Sequence, residues 1–237
     1  MRRKTRALLA YLVATQGGHS RQILAELFFP ETNDPLGALR WQLSQLRRTI
    51  TADRLTIDRA TVVFNHRNTW IDCLEFRRRL AAQGVPPRLD VLEAALHLYH
   101  GEFLEGLSLP DAPEFELWLL HQRSFYQRLY VQTLEQVSAH YIAVQHYDAA
   151  LTYTHRRLQL DPLAEAIHLQ LIWLYAQTGQ RQAALRQYEQ CCTLLREQLQ
   201  TTPSAELEAL YTQIVTDTLP VQVTHALAQL RRRRCHR

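Results

Sequence analysis

The sequence predicts a mainly α-helical protein in two parts: a winged helix-turn-helix with a small β-hairpin wing, then tetratricopeptide-like helical repeats. Leucines recur at helical spacing in three early segments, and short β-branched runs follow them. Aromatic and alanine positions recur 34 residues apart in the carboxy-terminal half. Residues 1–79 hold 14 basic against 7 acidic side chains, whereas residues 80–230 hold 8 against 16. A basic part on an acidic body indicates two modules with different partners.

The first two helices are predicted from their apolar spacing and their end signals. Residues 5–16 form the first helix, and the glycines of "GGH" end it. Its apolar stripe consists of Leu8, Leu9, Leu12 and Val13. Ser20 is expected to cap the second helix, "RQILAELFFP", which Pro30 ends.

The third helix, predicted over residues 35–51, has two contrasting faces. It begins with a capping side chain at Asp34 and a proline at the first helical position. Its apolar stripe consists of Leu36, Leu39, Leu43, Leu46 and Ile50. Directly opposite lie Trp41, Gln45 and Arg48, with Ser44 at one side, and Arg40 and Arg47 border the apolar stripe. One face can therefore dock in a core while the other presents hydrogen-bond donors.

Three short strands are predicted after this helix, in "LTID", "TVVFN" and "TWIDC". The first turn lies at Asp58 and Arg59, and the second, at residues 65–68, carries His66 and Arg67. In a winged helix the third helix enters the DNA major groove and the wing meets the backbone or minor groove. Arginine pairs with guanine and glutamine with adenine, so the polar face predicts binding to double-stranded DNA. The alternative is a helix whose polar face is merely solvated.

Residues 88–219 are predicted to be helical almost throughout, with breaks at glycines and prolines. Tyr141 and Tyr175 are 34 residues apart, and so are Ala150 and Ala184. That period is typical of tetratricopeptide repeats, in which a small residue lets two helices approach and an aromatic ring fills the space beside it. The alternative is a plain helical bundle with a chance match at that interval.

The sequence predicts no catalytic residues, no cofactor and no metal site. "GEFLEGLS", residues 101–108, has the outline of a phosphate loop, but Leu107 stands where the lysine is required. His97 and His100 have no partner at a metal-ligand spacing, and the cysteines form no C-x-x-C pair. No apolar run approaches the length of about 20 residues that spans a bilayer. We therefore expect a cytoplasmic protein, not an enzyme, with no membrane partner.

Both parts together resemble the SARP-type regulators, in which a winged helix precedes a bacterial transcriptional activator domain. The first part matches in "RKTRALLAYLVATQGG", "LAELFFP" and "ALRWQLSQLRRTI", and the second in "LYHGEFLEGL" and "LDPLAEAIHLQLIWLYAQTGQRQAALRQYEQC". The resemblance implies a regulator that binds promoter direct repeats, often as side-by-side protomers, and recruits RNA polymerase. It also implies a recognition face made of Arg40, Trp41, Ser44, Gln45, Arg47 and Arg48.

The chain departs from this family pattern at both ends. Family members usually place a small sheet before the first helix; here it is missing, and we expect the hairpin strands to lose partners. Larger relatives continue into an ATPase module, so a complete short regulator and a shortened form of a longer one both stay open. The predicted domains are 1–86, 87–219 and a basic tail, 220–237. The alternative function is a repeat module for protein interaction whose winged helix no longer binds DNA.

Overall fold

The computed structural model describes residues 2–81 and 88–218. The chain divides into two compact units, and the boundary along the sequence falls between Tyr130 and Val131. The predicted domain limits, 1–86 and 87–219, stay a prediction, and the predicted basic tail lies outside the described residues.

The first unit follows the winged-helix order of elements. It begins with the helix α1 (Arg3–Thr15), the strand β1 (Gly18–Ser20) and the helices α2 (Arg21–Phe28) and α3 (Pro35–Thr49). The strands β2 (Leu55–Ile57) and β3 (Thr61–Phe64) come next, after a short 3-10 turn, Ala52–Arg54. The helices α4 (Asp72–Ala81), α5 (Leu89–Leu96) and α6 (Pro113–Ala143) complete it, and α6 continues past residue 130. The predicted winged helix is therefore confirmed.

A three-stranded antiparallel sheet has the order β1-β3-β2. The register places Gly18 opposite Val63 and Ser20 opposite Thr61. The expectation that the hairpin strands lose partners is therefore wrong for β3, which is bonded on both sides. Gly18 and His19, predicted only to end the first helix, form this additional strand together with Ser20, the predicted cap of the second. Ser20 does precede α2, but its side chain makes no capping hydrogen bond.

The third predicted strand, "TWIDC", is wrong, because the chain enters α4 at Asp72. Acidic residues in the first turn of α4 favour a helix, since they face the positive end of its dipole. Glu75 forms ion pairs of 2.7 Å with Arg78 and Arg79, one helical turn away, and these bonds lower the pKa of Glu75 to about 2. Phe76 is buried beside Ala95 and Tyr126. These one-turn pairs are a helical signal that the sequence already contains.

The core of the first unit joins the winged helix to the segment that follows it. Leucines and phenylalanines of α1, α2 and α3 pack together with Val62 and Phe64 of the sheet. Leu107, Leu109, Phe115 and Leu119 belong to the same buried cluster. The winged helix therefore shares its core with residues well beyond position 86.

Arg123 holds the "GEFLEGLS" segment in place. Its guanidinium donates to the carbonyl oxygens of Phe103, Leu104 and Leu107 at 3.0–3.2 Å. Glu102 lies 3.2 Å from the same guanidinium. Carbonyl oxygens thus converge on a cation here, whereas a phosphate loop directs backbone N–H groups at an anion. The geometry and the missing lysine both indicate that this segment does not bind phosphate. We call residues 101–108, held by Arg123, the clamped turn.

The second unit contains paired antiparallel helices. After the end of α6 come α7 (Tyr147–Leu160), α8 (Glu165–Gln177), α9 (Arg181–Leu194), a π-helical turn (Leu195–Leu199) and α10 (Ala205–Val215). Its core is one buried cluster that contains Leu171, Leu174 and Leu207. Helix α8 packs against both α7 and α9.

The 34-residue repeat reappears in the backbone hydrogen bonds of the two helical turns. His146 N–H donates to the Tyr141 carbonyl at 2.8 Å, and Gln180 N–H donates to the Tyr175 carbonyl at the same distance. Residues 145 and 179 both adopt positive φ angles, 59° and 72°, which reverse the chain at each turn. Each repeat therefore has the same turn geometry. The side chains of Ala150 and Ala184 are fully buried, while Tyr141 and Tyr175 pack half-buried against the same core.

Replacing Ala184 with leucine, or Ala150 with leucine, should overpack these buried positions and cost about 1–3 kcal/mol of unfolding free energy. Thermal unfolding followed by circular dichroism should then show a lower Tm. The control is Ala209→Leu, because Ala209 is exposed on α10 and should change stability by less than about 0.5 kcal/mol. Equal melting of the Ala184→Leu and Ala209→Leu proteins would contradict the predicted close approach of helices at Ala184.

Candidate nucleic-acid interface

The start of α3 is fixed by the Asp34 cap. The Asp34 carboxylate accepts a hydrogen bond of 2.8 Å from Gly37 N–H, and Pro35 occupies the first turn. A Cβ atom at Gly37 would lie 1.9 Å from Asp34 Oδ2, so a side chain at this position would displace the cap. The predicted start of the third helix is therefore confirmed, with a glycine that the cap requires.

Helix α3 is held by its leucine face and by one buried polar contact. Leu39, Leu43 and Leu46 are almost fully buried, whereas Leu36 remains 39% exposed. Gln42 is also buried, and its amide oxygen accepts a 2.5 Å hydrogen bond from the Thr5 hydroxyl of α1. This bond fixes the rotation of α3 against α1. Periodicity gave no reason to single out Gln42, because a glutamine beside a leucine stripe is ordinarily solvated.

The opposite side of α3 is exposed and basic. Arg40, Ser44, Arg47 and Arg48 are exposed, Trp41 is 41% exposed and Gln45 is half-buried. Among residues 2–81 and 88–218, no carboxylate lies within ion-pair distance of Arg40, Arg47 or Arg48. The predicted recognition residues thus lie on one helix, and their positive charge is not neutralised within the described part of the chain.

The amino-terminal end of α1 adds exposed arginines that were not predicted as DNA contacts. The Arg2 guanidinium lies over the Trp41 ring, 4.7 Å from its centroid, so a cation covers one face of that ring. Arg3 and Arg6 are exposed, and the first turn of α1 has no acidic residue. Cations at a helix amino terminus oppose the helix dipole. The helix dipole therefore does not stabilise the positive charges of these arginines. A bound anion such as a DNA phosphate would stabilise them.

The expected wing residues occupy different places from those predicted. The hairpin tip is residues 58–60, where the Asp58 carboxylate accepts hydrogen bonds from Ala60 and Thr61. Arg59 is exposed at this tip. His66 lies beyond β3, and its Nε2 donates to the Val13 carbonyl at 2.8 Å, which anchors this segment to α1. Arg67 follows it and is exposed.

Two further observations concern other site chemistries. Within the ranges that the structure describes, no group of three or more His, Cys, Asp or Glu side chains is arranged to hold a metal ion. The helices in those ranges are also all too short or too polar to cross a bilayer.

The family model for the bacterial transcriptional activator domain matches residues 72–215, more than half of the sequence. The chain belongs to this family. No curated protein sequence matches it significantly. Among solved structures, the fold is similar to Mycobacterium tuberculosis EmbR, solved in complex with a low affinity phosphopeptide. The TM-score is 0.63 at 20% identity, over 93% of this chain and 61% of the EmbR chain. This activator-family chain therefore spans less than two thirds of EmbR.

These comparisons confirm the predicted family and fold. The match to the activator-domain model begins at Asp72, the first residue of α4, and covers the clamped turn held by Arg123 and both repeats. Membership of the SARP-type regulators is thereby confirmed at the level of the activator domain and the overall architecture.

Removing the Thr5 hydroxyl should destabilise the seam between α1 and α3. Thr5→Val leaves the buried Gln42 amide without its donor, at an expected cost of about 1–3 kcal/mol. The double variant Thr5→Val/Gln42→Leu removes both polar groups and should recover most of that loss. Denaturant unfolding followed by tryptophan fluorescence compares the three proteins. A Thr5→Val protein as stable as the parent would show that Gln42 finds another partner.

Proposed function

We propose that this activator-family chain is a sequence-specific regulator that binds double-stranded DNA through α3. The supporting observation is the basic face of α3, with three arginines that have no acidic partner in the described ranges. Ser44 and Gln45 on the same exposed side add neutral hydrogen-bonding groups. Guanidinium and amide groups are the side chains that read guanine and adenine edges in a major groove.

The flanking arginines supply the expected phosphate contacts. Arg2 lies against Trp41, and Arg3 and Arg6 occupy the same end of α1. At the hairpin tip, Arg59 takes over the wing-tip role predicted for His66 and Arg67, because the His66 ring is already bonded to Val13. We retain Arg67 as a backbone contact, since its side chain is exposed. Backbone contacts position a protein on the duplex, whereas base contacts give specificity.

The activator domain supports the second half of the proposal. A protein of this family that binds DNA would bring its helical repeats to a promoter, where helical-repeat surfaces commonly bind protein. We propose RNA polymerase as that partner, with two protomers side by side on direct repeats. Such a protein would be associated with the nucleoid.

Replacing Gln45 or Arg48 with alanine should reduce specific binding far more than nonspecific binding. The duplex is selected from a random library with the parent protein, and a scrambled duplex serves for comparison. Each alanine variant should lose about 1–3 kcal/mol on the selected duplex and much less on the scrambled one. Arg48→Lys keeps the charge but not the bidentate geometry, so it should also lose specificity. Titrations of the parent and the three variants on both duplexes, at one salt concentration, measure these affinities.

Arg186→Ala is the matched control, because Arg186 is exposed on α9 of the second unit. It removes the same charge and should leave both affinities unchanged. Equal losses on both duplexes for Arg48→Ala would assign Arg48 to the phosphate backbone. A parent protein that selects no sequence would overturn the proposal in favour of an interaction module without DNA binding.

Arg47 tests the phosphate contacts through the salt dependence of binding. Arg47→Ala should weaken binding to all duplexes about equally and reduce the slope of log affinity against log salt by about one. Arg59→Ala should do the same if the hairpin tip meets the backbone. Titrations at four or more salt concentrations give the slopes. An unchanged slope with lost sequence preference would move Arg47 to base reading.

A further inference from the structure

A cavity of about 400 Å³ lies within the first unit, away from the recognition face of α3. Helix α1 forms one wall with Ala10, Val13 and Ala14, which share one face of that helix. The start of α4 and the segment from Leu98 to Glu105 form the others. This volume falls in the range of small-molecule sites, about 300–1,000 Å³.

Aromatic rings form the floor of the cavity. Phe103 stacks on Tyr126 with ring centroids 5.0 Å apart and planes 16° from parallel. Phe76 and Tyr126 are each only 2% exposed, so they do not move freely. Arg123 fixes the carbonyl groups of Phe103 and Leu104 on the adjacent segment. The cavity is therefore bounded by rings and backbone that are held in place before any ligand enters.

Three carboxylates line the cavity beside one imidazole, that of His100. Asp72, Glu102 and Glu105 belong to the lining, and the lining residues in the described part of the chain include no lysine or arginine. Arg123 neutralises Glu102. Asp72 and Glu105 have no cation within ion-pair distance among the described residues. The cavity therefore attracts positive charge and repels phosphate or carboxylate ligands.

Cys73 also faces this cavity, but its environment favours binding over covalent chemistry. Burial raises the pKa of the Cys73 thiol, and the thiol shares a hydrogen bond with Tyr126. A protonated thiol is a poor nucleophile, because the thiolate is the reactive form. Cys73 and Tyr126 thus offer a polar contact point beside the rings.

We infer that this cavity is a binding site for a small planar aromatic molecule that carries a positively charged amine. The half-buried rings of Tyr99 and Phe103 would contact the aromatic group, and Asp72 and Glu105 would pair with the amine. Stacking and cation–π contacts reinforce each other in such a site. The lining residues that the structure describes all belong to the first unit.

The position of α1 links this site to α3. One face of α1 buries Ala7, Leu8 and Leu12 in the core shared with α3, and Thr5 bonds to Gln42. The cavity touches the remaining face at Ala10 and Ala14. A ligand would therefore contact the helix that positions the recognition helix. An effect on DNA affinity rests on the proposed function, whereas ligand binding does not.

Three naphthalene probes of nearly equal shape test the ligand class on the full chain. They are 1-naphthylmethylamine, 1-naphthalenemethanol and 1-naphthoate, which are positive, neutral and negative at pH 7. Isothermal titration calorimetry should give the tightest binding for the amine and the weakest for the naphthoate. Binding of naphthoate as tight as that of the amine, or no binding by any probe, would overturn the inference.

Cavity-filling and charge variants locate the site. Ala14→Leu should weaken amine binding by about tenfold or more, because its added methyl groups occupy the cavity. Ala10→Leu repeats this test from the neighbouring turn if the first variant does not fold, as judged by circular dichroism. Glu105→Gln should weaken the amine by about two- to fivefold and leave the neutral alcohol unchanged. Ala209→Leu, on exposed α10, is the control and should not change either affinity.

Unchanged amine binding by folded Ala14→Leu and Ala10→Leu proteins would place the probe elsewhere and overturn the site. The link to DNA is measured separately, on the selected duplex with and without saturating amine. We expect the Kd for DNA to change by about fivefold or more, the usual scale of coupling between two sites. Ala14→Leu should abolish that change. A constant Kd in the parent protein would overturn the link while the binding site stands.

Discussion

Burial of the leucine face of α3 is the contact on which the first unit depends. Leu39, Leu43 and Leu46 can leave water only where α1 and α2 cover them. Once they are buried, the rotation of α3 is fixed, and the Thr5–Gln42 hydrogen bond adds a directional contact in the same setting. The arginines on the other side are then exposed together because of where the leucines lie. Core packing thus determines which side chains form the recognition face, and no additional contact is needed to expose them.

Helix α1 serves two surfaces at once for the same reason. The core takes Ala7, Leu8 and Leu12 from one face of α1, while Ala10, Val13 and Ala14 border the space on another face. Arg123 then stabilises the opposite wall of that space by collecting three carbonyl oxygens. Without this cation each of those oxygens would lose a hydrogen bond in a partly buried turn, although Leu104 would keep the one from Leu107 N–H. Winged helix and activator domain therefore share one core in the first unit.

Much of the fold could be predicted from the sequence because its signals are local. The α3 cap depends on Asp34, Pro35 and Gly37, which are close neighbours, and leucine spacing gives the buried face directly. The 34-residue period predicted both turns of the repeat, which have matching hydrogen bonds from residues 146 and 180. The family resemblance depended on the segments that contain the α3 leucines and the repeat. For the recognition face, periodicity predicted the exposure of Arg48 directly, whereas Arg40 and Arg47 border the leucine stripe and are exposed in the folded structure.

Tertiary structure decided the features that depend on contacts between distant residues. Gly18–Ser20 is a strand only because the β3 edge offers hydrogen bonds, and "TWIDC" is not one because the chain there begins α4 instead. His66 was expected at a wing tip, but the carbonyl of Val13, 53 positions away, binds its ring. Arg2 reaches Trp41 across a similarly long separation in the chain. Local sequence determined which segments are helices and which of their faces are apolar. Only the folded core determined which polar groups are satisfied internally and which remain for a partner.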